Sequence, residues 1–278
     1  MIFEYLLLPR LEVQTANAQS AWWLINCTPV MAVALFTHNL GRHVGVFPHG
    51  VGIVHHDAQL LGERFFGQFL PQQRRGAVFI DKHDYSSKNK NALSLQPTAS
   101  CHLTLSLLLA FDSREGLPSP SKVERFLVNA RLAGGQIISH GKPKPLNTRD
   151  EIQTAIRTGY WIVERTDLLE MSDEQGDPLD ALIQACTRFR QRENGASSVT
   201  DQADVLDTWI VPTTLGYATL TEFAARKGAR EGYLHAYAEP LVGLVQYVSV
   251  HRLADRPLPL WRYAWPREDV FIVTQKES

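Results

Sequence analysis

Between His102 and Phe111 an apolar side chain recurs at every second residue: Leu103, Leu105, Leu107, Leu109 and Phe111. A helix repeats every 3.6 residues and scatters that pattern around its axis, whereas a strand gathers it on one face. The chain therefore holds a sheet, and its elements fall into an order around that strand. Ile2 to Val13 reads as a first strand, with Pro9 at a bulge or edge. Thr28-Pro29 reads as a helix start, with Thr28 as cap, opening a helix over Val30 to Arg42 with Val30, Val33, Ala34 and Thr37 at helical spacing. Val51 to His56 is a short buried strand. Ser119-Pro120 starts a second helix that buries Val123, Phe126, Leu127 and Ala130. Gly134-Gly135 is expected to stop it, and Gln136 to Ile138 resumes a strand.

The order strand, helix, strand, strand, helix, strand is that of an α+β, ferredoxin-like (RRM-like) core, an antiparallel sheet with two helices on one side. Such folds often offer RNA-contacting groups on the open sheet face and in loops. The expected divisions are a core over 1–139 with a loop insertion at about 57–100, a mostly helical insertion over 140–205, and a C-terminal α/β segment over 206–278 packing on the core. Within the first insertion, Asp81 to Asn91 reads as a solvated loop in preference to a lysine finger on a phosphate backbone. In the second, Asp177-Pro178 starts a helix with Leu179, Leu182, Ile183, Cys186 and Phe189 on its apolar face, and Asn194 to Ala203 is a linker.

Charge limits the function classes. The 278 residues carry 28 Lys+Arg and 29 Asp+Glu, a net charge of -1. A protein that holds bare nucleic acid by bulk charge is usually basic. Binding here would rely on a local patch or on an assembly. From Lys122 to Arg157 there are seven basic residues and only three acids, whereas Asp167 to Asp180 holds six acids and no base. Cys27, Cys101 and Cys186 show no CxxC spacing, which points to a reducing compartment and to small buried residues. Met1 to Arg10 has no basic leader or cleavage site, no run is long enough for a membrane helix, and the expected location is cytoplasmic.

No Walker loop, GxGxxG, GxSxG or kinase signature occurs. His55-His56-Asp57 is the tightest cluster of potential ligands, but no third convergent group accompanies it, so no metal or other cofactor is expected. Cys101-His102 cannot pair, because neighbours on a strand point to opposite faces. Arg131-Leu132-Ala133-Gly134-Gly135-Gln136 is more informative. Two glycines let a backbone approach a ligand closely, and Arg131 supplies a fork of donors suited to phosphate; read from spacing alone, the same residues make a plain helix stop. Asn17, Gln19 and Ser20 suit hydrogen bonds to bases or 2′-hydroxyls, and equally suit a surface loop.

Leu6 to Ser20 closely resembles the opening of the Csy-two family, the RNA 5′-handle-binding subunit of the type I-F CRISPR surveillance (Csy) complex. The likeness continues through Gly50 to His55, His102 to Leu109, Arg131 to Gly135, Asp180 to Leu182, Trp209 to Pro212 with Gly216-Tyr217, Glu239 to Leu244, His251 to Leu253 and Leu260 to Tyr263. The resemblance implies a RAMP fold with a glycine-rich loop. It implies a non-catalytic subunit that caps the crRNA 5′ handle, abuts the first CRISPR backbone subunit and pairs with a large subunit where the system has one; without one, this chain would itself touch target DNA through an insertion. Arg131, Gly134 and Gly135 are then expected to grip the handle backbone, with Asn17, Gln19 and Ser20 as base or sugar contacts and His251 and Arg252 as secondary contacts. One departure is Ala21-Trp22-Trp23 where the family has a segment with Pro and Gly; the tryptophans suit a core, base stacking or partner docking. Two rivals remain: a RAMP-like endoribonuclease using a histidine, and an adaptor docking proteins through Trp22, Trp23 and the acidic segment.

Overall fold

A computed structural model describes residues 2–71, 73–75, 97–170, 177–193, 209–227 and 232–276. Asp81–Asn91 and the Asn194–Ala203 linker lie outside them. β1 (Phe3–Asn17) leads through a small hairpin, β2 (Gln19–Ala21) and β3 (Leu24–Ile25), into α1 (Val30–Val44). β4 (Gly50–Leu60) is followed by a separate hairpin, β5 (Gly62–Phe65) and β6 (Gln68–Pro71), and by β7 (Gln73–Arg75). β8 (Pro97–Asp112) returns beside β1, then come α2 (Pro120–Asn129) and a hairpin of β9 (Arg131–Leu132) and β10 (Gly135–Ser139). The rest is β11 (Lys144–Leu146), α3 (Arg149–Ala155), β12 (Tyr160–Glu164), α4 (Asp167–Glu170), α5 (Pro178–Glu193), β13 (Ile210–Thr219), β14 (Ala238–Ser249), a 3₁₀ turn at Val250–Leu253, β15 (Arg262–Arg267) and β16 (Val270–Thr274).

The chain is α+β. Its main sheet runs β15-β16-β13-β14-β12-β4-β8-β1-β10-β9, and every pairing is antiparallel. The alternating leucines of β8 face α1 and α2, which bury Val33, Leu40, Val123 and Leu127 against them. β1 keeps the same face through a change of phase. Leu6 and Leu8 point inward, then Leu11 and Val13, then Ala16. Each step of three crosses a bulge, and one extra residue reverses which side chains face in. The bulged residues Arg10 and Thr15 have φ of 47° and 58°. Their N–H groups donate to Ser106 Oγ (2.9 Å) and His102 Nδ1 (3.2 Å) of β8, so neither bulge leaves a donor unpaired.

The C-terminal strands extend the same sheet, because β12 pairs with both β4 and β14. Trp261, fully buried, exchanges backbone bonds with Val51 and donates its indole N–H to the Ile162 carbonyl (3.0 Å). Opposite α1 and α2, the sheet is not open throughout. Leu7, Val54 and Leu108 lie beneath Ile152, Ile156, Trp161 and Val250, supplied by α3, the residue after it, β12 and the 3₁₀ turn. No helix among the described residues is long and apolar enough to cross a membrane.

Two local readings change. Thr28 does not cap α1: its hydroxyl is paired with the Tyr247 hydroxyl (2.5 Å), and Pro29 takes the cap position with no side-chain bond to the first turn. And α2 ends at Asn129, before the glycines. Ala133 and Gly134, with φ of 49° and 75°, form the turn of the β9–β10 hairpin. Two successive positive φ values suit the twist of a tight hairpin, which is what the Ala-Gly pair supplies here in place of a helix stop.

Candidate nucleic-acid interface

Three separate pieces of chain meet at one end of the helical layer. The turn from β1 to β2 is tied by Asn17, whose Oδ1 accepts from the Gln19 N–H and whose Nδ2 donates to the Gln19 carbonyl (both 3.0 Å). Gln19 Nε2 donates to the Trp22 carbonyl (3.0 Å). The β9–β10 turn docks beside it through a bond from the Asn17 N–H to the Ala133 carbonyl (2.7 Å). The start of α1 forms the third wall. With them, Thr213, Thr214 and Tyr217 of β13 enclose a groove of about 370 Å³ lined by Asn17, Gln19, Ser20, Ala133, Gly134 and Pro29 to Ala32.

The groove has a largely apolar wall, no charged side chain among its described lining residues, and a few polar groups at its edge. The first four N–H groups of a helix lack intrahelical partners and carry part of the positive end of its dipole. No side chain caps α1; Pro29 has no N–H and the Val30 N–H donates to the Thr28 carbonyl (3.0 Å), so the N–H groups the first turn offers to the groove are those of Met31 and Ala32. Ser20 keeps its Oγ buried with no partner among the described residues, while its carbonyl accepts from Thr214 Oγ1 (3.0 Å). Trp22, next to the groove, is 77% exposed, which excludes a core role.

The groove gathers Asn17, Gln19, Ser20 and Gly134, so two candidate segments a hundred residues apart in the chain become one surface. Arg131 is exposed on the same hairpin, its Nη1 reaching the Gly134 carbonyl at 3.4 Å. Gly135 has a different duty. A Cβ there would meet Gln14 O and Ala16 N at 2.7 Å, so the glycine admits the β1 backbone. His251 and Arg252 are not brought to the groove. They sit exposed on the 3₁₀ turn that covers the opposite sheet face, and Arg149 holds that turn by donating to Ala254 O (2.6 Å), Leu253 O (2.7 Å) and Arg256 O. The sequence gives no binding role to Tyr217, Thr213, Thr214 or the first turn of α1. For Tyr217 a signal existed, an aromatic residue after Gly216 in a strand; for the others there was none.

The uncovered part of the opposite face is a poor phosphate site. A cavity of about 200 Å³ there is lined by Glu12, Asp57, Gln14, Gln59, His102 and Thr104. Thr104 pairs with Glu12 on one side and Asp57 on the other, which sets two carboxylates across one short row. A phosphate would be repelled.

The histidine doublet of β4 is internal. Burial, then the neighbouring His56, hold His55 at about 4, and burial, then Arg10, hold His56 at about 4. His56 Nε2 bonds Ser106 Oγ (2.7 Å), and the His55 ring meets Tyr247 edge-on (5.1 Å). No set of three metal-ligating side chains occurs among the described residues. Both histidines gain protons on unfolding below their ordinary value of 6.5, so the stability they add is fully present above pH 6.5 and is lost as pH falls toward 4. The melting midpoint is expected to drop steadily across that window, and less steeply in His55→Phe; equal slopes would refute the assignment.

Comparison with known proteins adds the family context. The family described as CRISPR-associated protein (Cas_Csy2) matches residues 6–273. The chain is also 28% identical over 305 residues, 92% of this chain and 90% of the relative, to CRISPR-associated protein Csy2 of Pseudomonas aeruginosa (strain UCBPP-PA14).

Proposed function

Because the chain belongs to the Cas_Csy2 family of CRISPR-associated proteins, we propose that it is the non-catalytic RNA-binding subunit that caps the crRNA 5′ handle in a type I-F effector complex. The observation that carries this reading is the groove that joins Asn17, Gln19 and Ser20 to Gly134 at the uncapped start of α1. Amide and hydroxyl groups there recognise sugar and base edges, and helix and hairpin N–H groups receive phosphate. Arg131, exposed on the hairpin that carries Gly134, adds a charged donor next to it. Four core strands in the order β4-β8-β1-β10, with both helices on one face, support a ferredoxin-like, RRM-like RAMP core.

No histidine or carboxylate lines the groove among the described residues, which favours holding RNA over cutting it. The adaptor reading draws on a specific observation too. Trp22, Phe65 and Phe66 are 77%, 62% and 91% exposed, and such side chains suit docking on other subunits. The two roles are compatible in a cytoplasmic assembly in which the protein contacts the backbone subunit, a large subunit where one exists, and target DNA.

The test is a tagged pull-down from cells carrying the native neighbours and repeat array, with sequencing of bound small RNA. Intact RNAs sharing one repeat-derived, protected 5′ end are expected. RNA without a fixed 5′ end would overturn the capping role. Arg131→Ala is expected to weaken handle binding about tenfold, as for one lost charged hydrogen bond, with an unchanged melting midpoint. Unchanged affinity would remove Arg131 from the site.

A further inference from the structure

The groove continues past Tyr217. That ring is 41% exposed and stands directly opposite Phe271 in the β13–β16 register. Directly paired residues share a sheet face, so Phe271 carries the same surface onward. Trp265 and Tyr263 of the edge strand β15 both reach Phe271, with ring centroids at 5.1 and 6.2 Å. They are 59% and 42% exposed. Tyr263 then meets His38 of α1 edge-on at 5.5 Å, its hydroxyl 2.9 Å from His38 Nδ1.

Cations follow the rings. Arg42 lies one turn beyond His38 on α1 and is exposed. His43 stacks obliquely on Phe126 of α2 at 5.5 Å, and exposed Arg125 and Lys122 stand one residue and one turn before Phe126. α1 contains no carboxylate and α2 only Glu124. A row of ring faces that starts in the groove and ends at exposed cations matches the way proteins hold single-stranded nucleic acid: bases stack on aromatic side chains and the backbone meets Lys and Arg.

We infer that the nucleic-acid strand held in the groove continues along this strip, stacking its bases on Tyr217, Trp265 and Tyr263 and laying its phosphates toward Arg42, with no preference for base identity. The inference rests on the groove being the handle site. It adds a second, sequence-tolerant segment of contact to a site that reads a fixed one. Stacking accepts any base because each has a π-face, which suits the part of a guide strand that varies.

The experiment uses the full chain and two labelled RNAs, the repeat-derived 5′ handle alone and the handle followed by a short uridine tail. The tail is expected to tighten binding about tenfold or more, from at least one stacked base. Adenine and cytosine tails should do the same. Trp265→Ala removes the gain and leaves the handle-only affinity unchanged; Trp265→Phe retains most of it. Arg42→Ala lessens the salt dependence of the gain. If the handle binds but the tail adds nothing, or the gain survives Trp265→Ala, the strip is not a strand path, while the groove reading stands. If neither RNA binds, both readings fall. A gain that survives Trp265→Ala while a co-purifying protein subunit is lost would make the strip a protein contact. Competition by a separate DNA strand, with no gain from the covalent tail, would likewise overturn a path continuous with the handle.

Discussion

Ala32→Glu is expected to lower handle affinity about 100-fold or more while the protein becomes slightly more stable than wild type. Ala32 lies in the first turn of α1 and lines the groove. A carboxylate there complements the helix dipole, an effect of roughly 0.3–1 kcal/mol in favour of folding. The same charge occupies the place where a phosphate would meet free N–H groups, and like charges brought together at an interface cost on the order of several kcal/mol. Stability and binding therefore move in opposite directions, which a general loss of structure cannot imitate. Ala32→Gln adds nearly the same bulk without the charge and is expected to lose much less affinity. Asn39→Glu, exposed on the same helix outside the groove, leaves handle-only binding unchanged. Thermal melts and fluorescence anisotropy with the handle RNA read both quantities. Wild-type affinity in Ala32→Glu would remove the groove as the RNA site.

Gly135→Ala has the larger effect on the fold. The new methyl would stand 2.7 Å from Gln14 O and Ala16 N and 2.8 Å from Ala16 Cα. All three atoms are backbone of the bulged end of β1, so no side chain can turn aside. The hairpin must move off the strand, at a cost of about 3 kcal/mol. For a domain of this size that is on the order of a 10 °C lower melting midpoint. Handle binding falls with it, because the Asn17–Ala133 bond that sets the two turns side by side is on the same strand end. Gly134→Ala is the control. Open space surrounds that position, and only its φ of 75° opposes a side chain, at about 1 kcal/mol. Equal midpoints for the two variants would refute the close approach assigned to Gly135.

Much of the core was legible because it rests on short-range rules. The alternation in β8 forces one face inward, and the apolar spacings in α1 and α2 select helices that can cover it. The β9–β10 hairpin was not legible. Ala-Gly-Gly after a helix reads as a helix stop, and only the docking of Gly135 on β1 makes the tight turn and the close approach the better use of those glycines. The destinations of charged residues were likewise hidden. Arg149 stands in the basic run from Lys122 to Arg157, yet its guanidinium closes the 3₁₀ turn from more than a hundred residues away.

Which core segments are strands, which are helices and which turns carry polar groups is legible in the local order of residues. Those follow from backbone sterics and from apolar periodicity over a few residues. Tertiary structure alone decided that Asn17, Gln19, Ser20, Gly134 and Tyr217 share one surface, that His251 and Arg252 lie on another, and that the opposite sheet face is partly roofed by α3. Those outcomes depend on sheet order and register, where one added residue at each β1 bulge reverses the facing of everything after it. No local pattern records which distant strand will supply the partner that holds that register.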